Sequence, residues 1–127
     1  YTVRHVSSGD GINSSPSVGT PCIDFASADE HGFGRPFVRK LATGYEMLVS
    51  VRTFSRGYYL SRAWSKDGLV WERSNEDLPI SRLSASDWDS ENTSYAHTWE
   101  MQGRQFLFYN GNGCGKSGVG FAEWIDP

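Results

Sequence analysis

The chain has few cysteines, no excess of basic residues and no long apolar run, and each shortage argues against a class of protein. Its 127 residues include two cysteines, Cys22 and Cys114, which are too few for a disulfide-rich scaffold and lack the spacing of a zinc site. They are either two separate thiols or one bridge. Lys and Arg number 12 against 15 Asp and Glu, a net charge of −3, which argues against a nucleic-acid partner.

The lack of a long apolar run and the first residues of the chain indicate in which compartment we expect the protein. No stretch reaches the roughly 18–20 apolar residues that cross a membrane, so we expect no membrane partner. The chain begins at Tyr1 and carries no recognisable signal peptide, which favours a soluble, cytoplasmic protein. We also expect neither a cofactor nor a metal, because no cluster of ligand residues has the required spacing.

What the chain does contain is aromatic residues, glycine and an internal repeat. Aromatic residues make up 14% of the chain and there are 14 glycines, a composition that favours strands and turns over helices. Tyr1–Ile12 aligns with Tyr58–Leu69, placing Asp10 on Asp67. Two further alignments are Gly44–Ser50 with Gly103–Tyr109, and Tyr59–Ser65 with Gly118–Trp124. A period near 60 residues is typical of a repeat architecture.

Each repeat reads as four short strands joined by tight turns. Asp67-Gly68, Thr43-Gly44 and Gln102-Gly103 are predicted hairpin turns, because glycine tolerates the positive φ that such turns need. The predicted strands are Pro36–Lys40 and Ala96–Met101 (strand one), Glu46–Val51 and Gln105–Tyr109 (strand two), Tyr1–Val6, Tyr58–Trp64 and Val119–Trp124 (strand three), and Leu69–Glu72 (strand four).

This pattern predicts an all-β chain, a partial β-propeller of about two four-stranded antiparallel blades. As a single domain, 1–127 divides into a leading half-blade and loop (1–33), a complete blade (34–73), a loop (74–94) and a trailing incomplete blade (95–127). A small β-sandwich is the alternative, but it has no reason to repeat one turn at a fixed offset. Since bare sheet edges are costly, we expect a homo-oligomer or completion by further chain.

The strand signatures resemble a known family. Gly34–Val38, Tyr45–Ser50 and Ser65–Arg73 resemble the five-bladed furanosidase-type glycoside hydrolases, a group with arabinanases, xylosidases, invertases and mannoside phosphorylases. Tyr95–His97 followed by Phe106–Asn112 looks similar. The resemblance covers nearly the whole chain but only about two of five blades. It implies a glycoside hydrolase-like fold and a carbohydrate ligand.

The same resemblance argues against hydrolysis by this chain alone. Such enzymes use paired carboxylates around a central funnel. In the family an Asp precedes the proline of strand one in a middle blade, but here Arg35 precedes Pro36. The general acid is a Glu near strand one of the next blade, and Ser94 holds that place. We therefore expect carbohydrate binding without hydrolysis, the alternative being a non-catalytic lectin-like or structural oligomeric module.

The acidic loop Asp87–Glu91 offers weak substitutes for the missing carboxylates. Glu91 could replace the acid, or Asp89 and Glu91 could bind sugar hydroxyls; the alternative is a solvated loop. Trp88 in this loop is predicted to be exposed as a stacking platform. Trp64, Trp71, Trp99 and Trp124 are further candidates for stacking, but Trp64 and Trp71 recur at blade positions that pack between sheets and are predicted to lie in the core.

Further candidate ligand contacts lie on the strands and in a glycine-rich loop. Arg35 offers a planar fork of donors, the alternative being a salt bridge to Asp29 or Glu30. His97 is either a ligand contact or a structural residue. The run Gly113–Gly118 fits a dinucleotide fingerprint only as a bare pattern, because it leads into a strand rather than a helix; a hairpin loop is predicted there. The ligand-binding candidates are Arg35, Arg52, Trp88, Tyr95, His97, Asn110 and Asn112.

Overall fold

The computed structural model describes residues 1–15, 19–80 and 86–125, and it confirms the all-β prediction. Within these residues, nine strands form three antiparallel sheets, in the orders β1-β2, β3-β4-β5-β6 and β7-β8-β9. The strands are β1 Arg4–His5, β2 Thr20–Pro21, β3 Glu30–Leu41, β4 Gly44–Thr53, β5 Gly57–Ser65, β6 Glu72–Arg73, β7 Ser94–Met101, β8 Arg104–Asn110 and β9 Val119–Trp124; a short helical turn, α1 Asn112–Gly115, precedes β9. The arrangement of these sheets as propeller blades stays a prediction.

The four-stranded sheet is buried on both faces because its second strand is apolar without alternation. Met47, Val49 and Val51 of β4 contribute to one core with Val3 and Ile23 from the N-terminal segment. The intervening Leu48 belongs to a second core, which joins this sheet to the β7–β9 sheet through residues such as Leu60, Leu107 and Tyr109. A continuous apolar strand is what burial on two faces requires.

The repeated Asp turn has three equivalent hydrogen bonds in its two copies. The carboxylate of Asp10 accepts from the backbone N–H groups of residues 12 and 13 at 2.9 and 2.8 Å and from the Ser8 hydroxyl at 2.9 Å. Asp67 accepts from the N–H groups of residues 69 and 70 at 2.8 and 3.0 Å and from the Ser65 hydroxyl at 3.0 Å. These bonds lower the pKa of both aspartates because they favour the charged form.

The alignment of Gly44 with Gly103 is wrong by one residue. Directly after the irregularity in each first strand, Phe37 pairs with Leu48 and His97 pairs with Phe108. The second sheet therefore repeats the first at an offset of 60 residues, whereas the alignment of Gly44 with Gly103 uses an offset of 59. Gly103 lies inside its turn, whereas Gly44 is the first residue of β4. A Cβ at Gly44 would lie 2.3 Å from the Ser65 carbonyl oxygen, so glycine is required there by the approach of β5.

Strand bounds and one tryptophan also differ from the predictions. β3 begins at Glu30 instead of Pro36, and β2 was not predicted. The fourth strand is Glu72–Arg73 instead of 69–72, because residues 69 and 70 donate their N–H groups to the Asp67 turn. The first strand shortens to Arg4–His5. Trp64 is 40% exposed rather than in the core, with the Arg62 guanidinium 4.9 Å from its ring centroid. Trp71 packs against the first core as predicted.

Candidate functional site

The first strands of the two larger sheets, β3 and β7, share an irregularity at equivalent positions. The pairing with the neighbouring strand shifts between Gly34 and Phe37 in β3 and between Ser94 and His97 in β7. Within each shift one non-glycine residue has positive φ, Arg35 at 43° and Tyr95 at 60°. Such conformations are strained and persist where surrounding structure holds them. Both bulges therefore aim a specific side chain away from the regular ladder.

The Tyr95 bulge is held by the neighbouring sheet. Its backbone N–H donates to the hydroxyl of Ser50 at 2.7 Å, and Ser50 is fully buried on β4. The Tyr95 ring centroid lies 5.8 Å from that of Tyr58 on β5. The two rings consequently form one aromatic surface that crosses from one sheet to the other.

Two arginines lie over these two rings. The Arg35 guanidinium carbon is 5.6 Å from the Tyr95 ring centroid, and that of Arg52 is 5.7 Å from the Tyr58 centroid. Arg52 and Tyr58 are direct cross-strand partners, so the strand register itself sets this pair. We call these four residues the Arg/Tyr surface. A Cβ added at Gly34 would lie 3.5 Å from the Tyr95 ring, so the β3 backbone runs close beside it.

The Tyr95 hydroxyl stays protonated at neutral pH. Burial first, then the Tyr58 hydroxyl and the Cys114 thiol, raise the pKa of Tyr95 above its ordinary value. A neutral phenol can donate a hydrogen bond as well as accept one. The Arg/Tyr surface thus combines aromatic faces, a phenolic donor and two planar guanidinium forks.

Among the described residues, neither arginine of this surface forms an ion pair. The alternative of a salt bridge from Arg35 to Asp29 or Glu30 is wrong. The Asp29 carboxylate accepts from the backbone and hydroxyl of Ser55, and Glu30 pairs with Arg73.

Most side chains of the acidic loop Asp87–Glu91 are at least partly buried, although its sequence suggests a solvated loop. Asp89 is buried, and its carboxylate accepts the Tyr109 hydroxyl at 2.7 Å, so it is not open to a ligand. The prediction of an exposed Trp88 is wrong: the half-buried indole stacks on Tyr109, with centroids 5.3 Å apart. Positions Gly111 and Gly120 press against it so closely that a Cβ there would lie 2.2 and 2.4 Å from the ring.

Glu91 is the member of this loop that remains open. Its side chain is exposed and lines a cleft of about 460 Å³ that also includes Arg56 and Tyr58. Its backbone N–H donates to the Asn112 side-chain oxygen at 2.8 Å. Because Tyr58 belongs both to this cleft and to the Arg/Tyr surface, Glu91 lies at the edge of that surface.

The remaining candidates lie around the site rather than in it. His97 packs edge-on against Phe37, with ring centroids 4.4 Å apart. Asn110 donates to the Cys114 carbonyl at 3.2 Å inside the glycine-rich loop. The amide of Asn112 bonds the backbone at residues 87, 91 and 92, so it positions the acidic loop. The glycine-rich loop leads into β9, as predicted for a hairpin loop.

Sequence reasoning missed Tyr58 and Ser50. Both lie within predicted strands, where period-two patterning only assigns a face. The available signal for Tyr58 was its position on the strand that follows the strand of Arg52, where an aromatic residue can face the arginine across the ladder. Nothing local marks Ser50, since its partner Tyr95 is 45 residues away.

Cys22 and Cys114 are free thiols. In the ranges 1–15, 19–80 and 86–125, no group of three or more His, Cys, Asp or Glu side chains is placed to hold a metal ion. Within the same ranges, the chain has no helix with the length and apolarity to cross a bilayer.

Two curated relatives are similar to nearly the whole chain. "Uncharacterized protein Rv1502" of Mycobacterium tuberculosis (strain ATCC 25618 / H37Rv) is 30% identical over 122 residues, which cover 96% of this chain and 40% of the relative. "Uncharacterized protein MT1551" of Mycobacterium tuberculosis (strain CDC 1551 / Oshkosh) shows the same identity and coverage. The chain thus spans about two fifths of the length of the curated relatives it matches. No family model matches the chain, nor does any solved structure.

Proposed function

We propose that this chain is part of a glycoside hydrolase-like β-propeller whose Arg/Tyr surface binds carbohydrate without hydrolysing it. The observation that carries this proposal is the pair of tyrosine rings 5.8 Å apart, each with a guanidinium over it. Aromatic faces pack against the apolar face of a sugar ring. Phenol and guanidinium groups then supply donors for its hydroxyl oxygens.

The propeller part of the proposal is supported by the equivalence of the two larger sheets. Both are antiparallel meanders with a bulge at the same place in their first strand, and they pack face to face through the second core. The 122 matched residues are 40% of each relative, whose length therefore has room for about five such units. Stacked units of this kind close into a ring with first strands around the axis.

Within the described part of the chain, Asp89 and Glu91 do not form an open carboxylate pair, which argues against hydrolysis. Glycosidases need two carboxyl groups flanking the scissile bond. Asp89 is buried against Tyr109, and Arg35 and Ser94 hold the places where the resembling family has acids. Two exposed carboxylates, Glu91 and Asp77, line the cleft beside Tyr58, but Asp77 is paired with Arg56 at 2.7 Å. A panel of nitrophenyl glycosides is expected to show no turnover.

The test of binding is a glycan array followed by titration of the best glycan. Tyr58→Ala removes one ring and the support of Arg52, and we expect about a tenfold loss of affinity, or about 1.4 kcal/mol. Tyr45→Ala is the matched control, because Tyr45 lies away at the Asp67 turn. No glycan bound by the parent chain, or equal loss in both variants, would refute the proposal.

A specific observation favours the alternative, a structural oligomeric module. Leu48 and Leu60 of the four-stranded sheet are 2% and 1% exposed where the second sheet covers them. Their equivalents in the second sheet, Phe108 and Val119, are 40% and 68% exposed. We infer that another four-stranded unit of the same kind covers this bare face. An apolar sheet face of this kind is typical of an interaction surface.

Self-association of the 127-residue chain tests that inference. We expect it to associate through the bare face, and Phe121→Asp to restore the monomer, because a charge there opposes burial. Phe121 is 63% exposed beside Phe108. Light scattering over a dilution series measures the mass, with Val70→Asp, equally apolar and exposed at the Asp67 turn, as the control. A parent chain that is monomeric throughout would contradict the inference.

A further inference from the structure

The charge at the Arg/Tyr surface is unbalanced in a chain that is acidic overall. The net charge is −3, and four arginines, Arg39, Arg56, Arg73 and Arg104, have carboxylate partners. Arg35 and Arg52 are exposed and have none among the described residues. Glu91 shares the cleft with Tyr58 but forms no ion pair with either of them. Two guanidinium groups with no ion-pair partner among the described residues therefore lie over one aromatic surface.

Both guanidinium groups are restrained before any ligand arrives. Arg35 occupies the positive-φ position of the β3 bulge, so its direction is set by the backbone. Arg52 lies opposite Tyr58 in the β4–β5 register. Each group lies over a ring at 5.6 or 5.7 Å, a cation–π contact that limits its motion. A restrained donor loses less entropy on binding than a free side chain.

We propose that Arg35 and Arg52 form a subsite for the carboxylate or phosphate group of an acidic saccharide. This inference rests on the proposed carbohydrate-binding function and names the class of sugar. The planar fork of arginine matches the paired oxygens of a carboxylate or phosphate. Tyr58 and Tyr95, whose ring centroids are 5.8 Å apart, then face the sugar ring. A neutral sugar would leave the two charges unmatched.

The experiment compares glucuronic acid, glucose 6-phosphate, glucose and inorganic phosphate on the full 127-residue chain, with binding measured by ligand-observed NMR at low salt. We expect at least one of the two acidic sugars to bind about tenfold more tightly than glucose. Comparison of the two identifies which anionic group is preferred. The preference is expected to weaken at high salt, since exposed charges are screened.

Variants of Arg35 and Arg52 test whether these two arginines cause the preference for acidic sugars over glucose. In the Arg35→Gln/Arg52→Gln double variant, the ratio of acidic-sugar to glucose affinity is expected to fall to about one. Arg104→Gln is the control, because Arg104 pairs with Glu123 on the exposed surface and its loss should leave the ratio unchanged. If the double variant does not fold, Arg52→Gln alone and the salt titration of the parent chain carry the same test.

The outcomes separate the two proposals. Equal affinity for glucose and both acidic sugars, or a preference that survives in the double variant, overturns the anionic subsite and leaves carbohydrate binding intact. Inorganic phosphate that binds as tightly as glucose 6-phosphate also overturns it, because the sugar then contributes nothing. Failure of every saccharide in the glycan array and in this set overturns the proposed function itself.

Discussion

Gly111→Ala is expected to destabilise the chain by about 3 kcal/mol or more. A Cβ at Gly111 would lie 2.2 Å from the Trp88 ring and 2.5 Å from the Trp88 carbonyl oxygen. The ring could shift, but the carbonyl belongs to the backbone, so the acidic loop would have to move with it. That loop carries Glu91 and the buried Asp89, and its displacement is expected to weaken binding at the Arg/Tyr surface as well.

Urea unfolding followed by tryptophan fluorescence measures the loss of stability. Gly9→Ala is the matched control, because no atom lies within 4 Å of the added Cβ and its φ is not positive; a change within about 0.5 kcal/mol is expected. Trp88→Ala should cost less in the Gly111→Ala background than in the parent chain, since the two residues are in contact. A loss below about 1 kcal/mol in Gly111→Ala would show that the loop yields without cost.

Glu30→Ala is expected to cost about 3–5 kcal/mol of folding free energy. The Glu30 carboxylate is buried, pairs with Arg73 at 2.8 Å and accepts the Tyr59 hydroxyl at 2.7 Å. Removing it leaves the Arg73 guanidinium, whose side chain is only 5% exposed, as an unpaired buried charge. The cluster ties the start of β3 to β5 and β6, so its loss should reduce the unfolding midpoint of the whole sheet.

The same glutamate predicts a pH dependence. Burial raises the pKa of Glu30, but hydrogen bonds from the Ala26 N–H, the Tyr59 hydroxyl and Arg73, with the Arg73 charge, outweigh it and lower the pKa below its ordinary value. The stability gained is fully present above the unfolded-state pKa and is lost as pH falls through the folded-state pKa. Glu30→Gln should therefore flatten the acid limb of the stability profile, measured by thermal unfolding.

The control for the Glu30 cluster is an exposed ion pair. Glu123→Ala removes the partner of Arg104 at a solvent-accessible edge, where solvent screening leaves an ion pair little effect on stability. Equal losses in Glu30→Ala and Glu123→Ala would contradict the argument that burial makes the Glu30 cluster the stronger one.

Much of the fold could be predicted from local patterns. The Asp10 and Asp67 turns were located because a short acidic side chain before glycine closes its own hydrogen bonds within three residues. The strands around them follow from aromatic and β-branched composition. The alignment of Gly44 with Gly103 is wrong because the sequence does not distinguish a glycine inside a turn, Gly103, from a glycine required by the close approach of a neighbouring strand, Gly44. The offset of 60 residues appears only when the ladders are paired.

Much less of the candidate site could be predicted, because its contacts join distant parts of the chain. Arg35, Arg52 and Tyr95 were identified as candidates, yet what brings Tyr95 to Tyr58 is a bulge held by Ser50 from another sheet. Trp88 and Asp89 read as exposed because a short acidic loop is usually solvated, and packing against Tyr109 and Gly111 reverses that.

Local chemistry therefore dictates where this chain turns and which segments extend, since turn hydrogen bonds and strand preferences need only neighbouring residues. Which faces are covered, which of Asp89 and Glu91 stays open, and how two arginines come to lie over two tyrosines depend on packing between sheets. Side chains alternate across a strand, so a shift of one residue exchanges buried and exposed faces. Contacts between residues tens of positions apart in the sequence determine which face of each strand is buried.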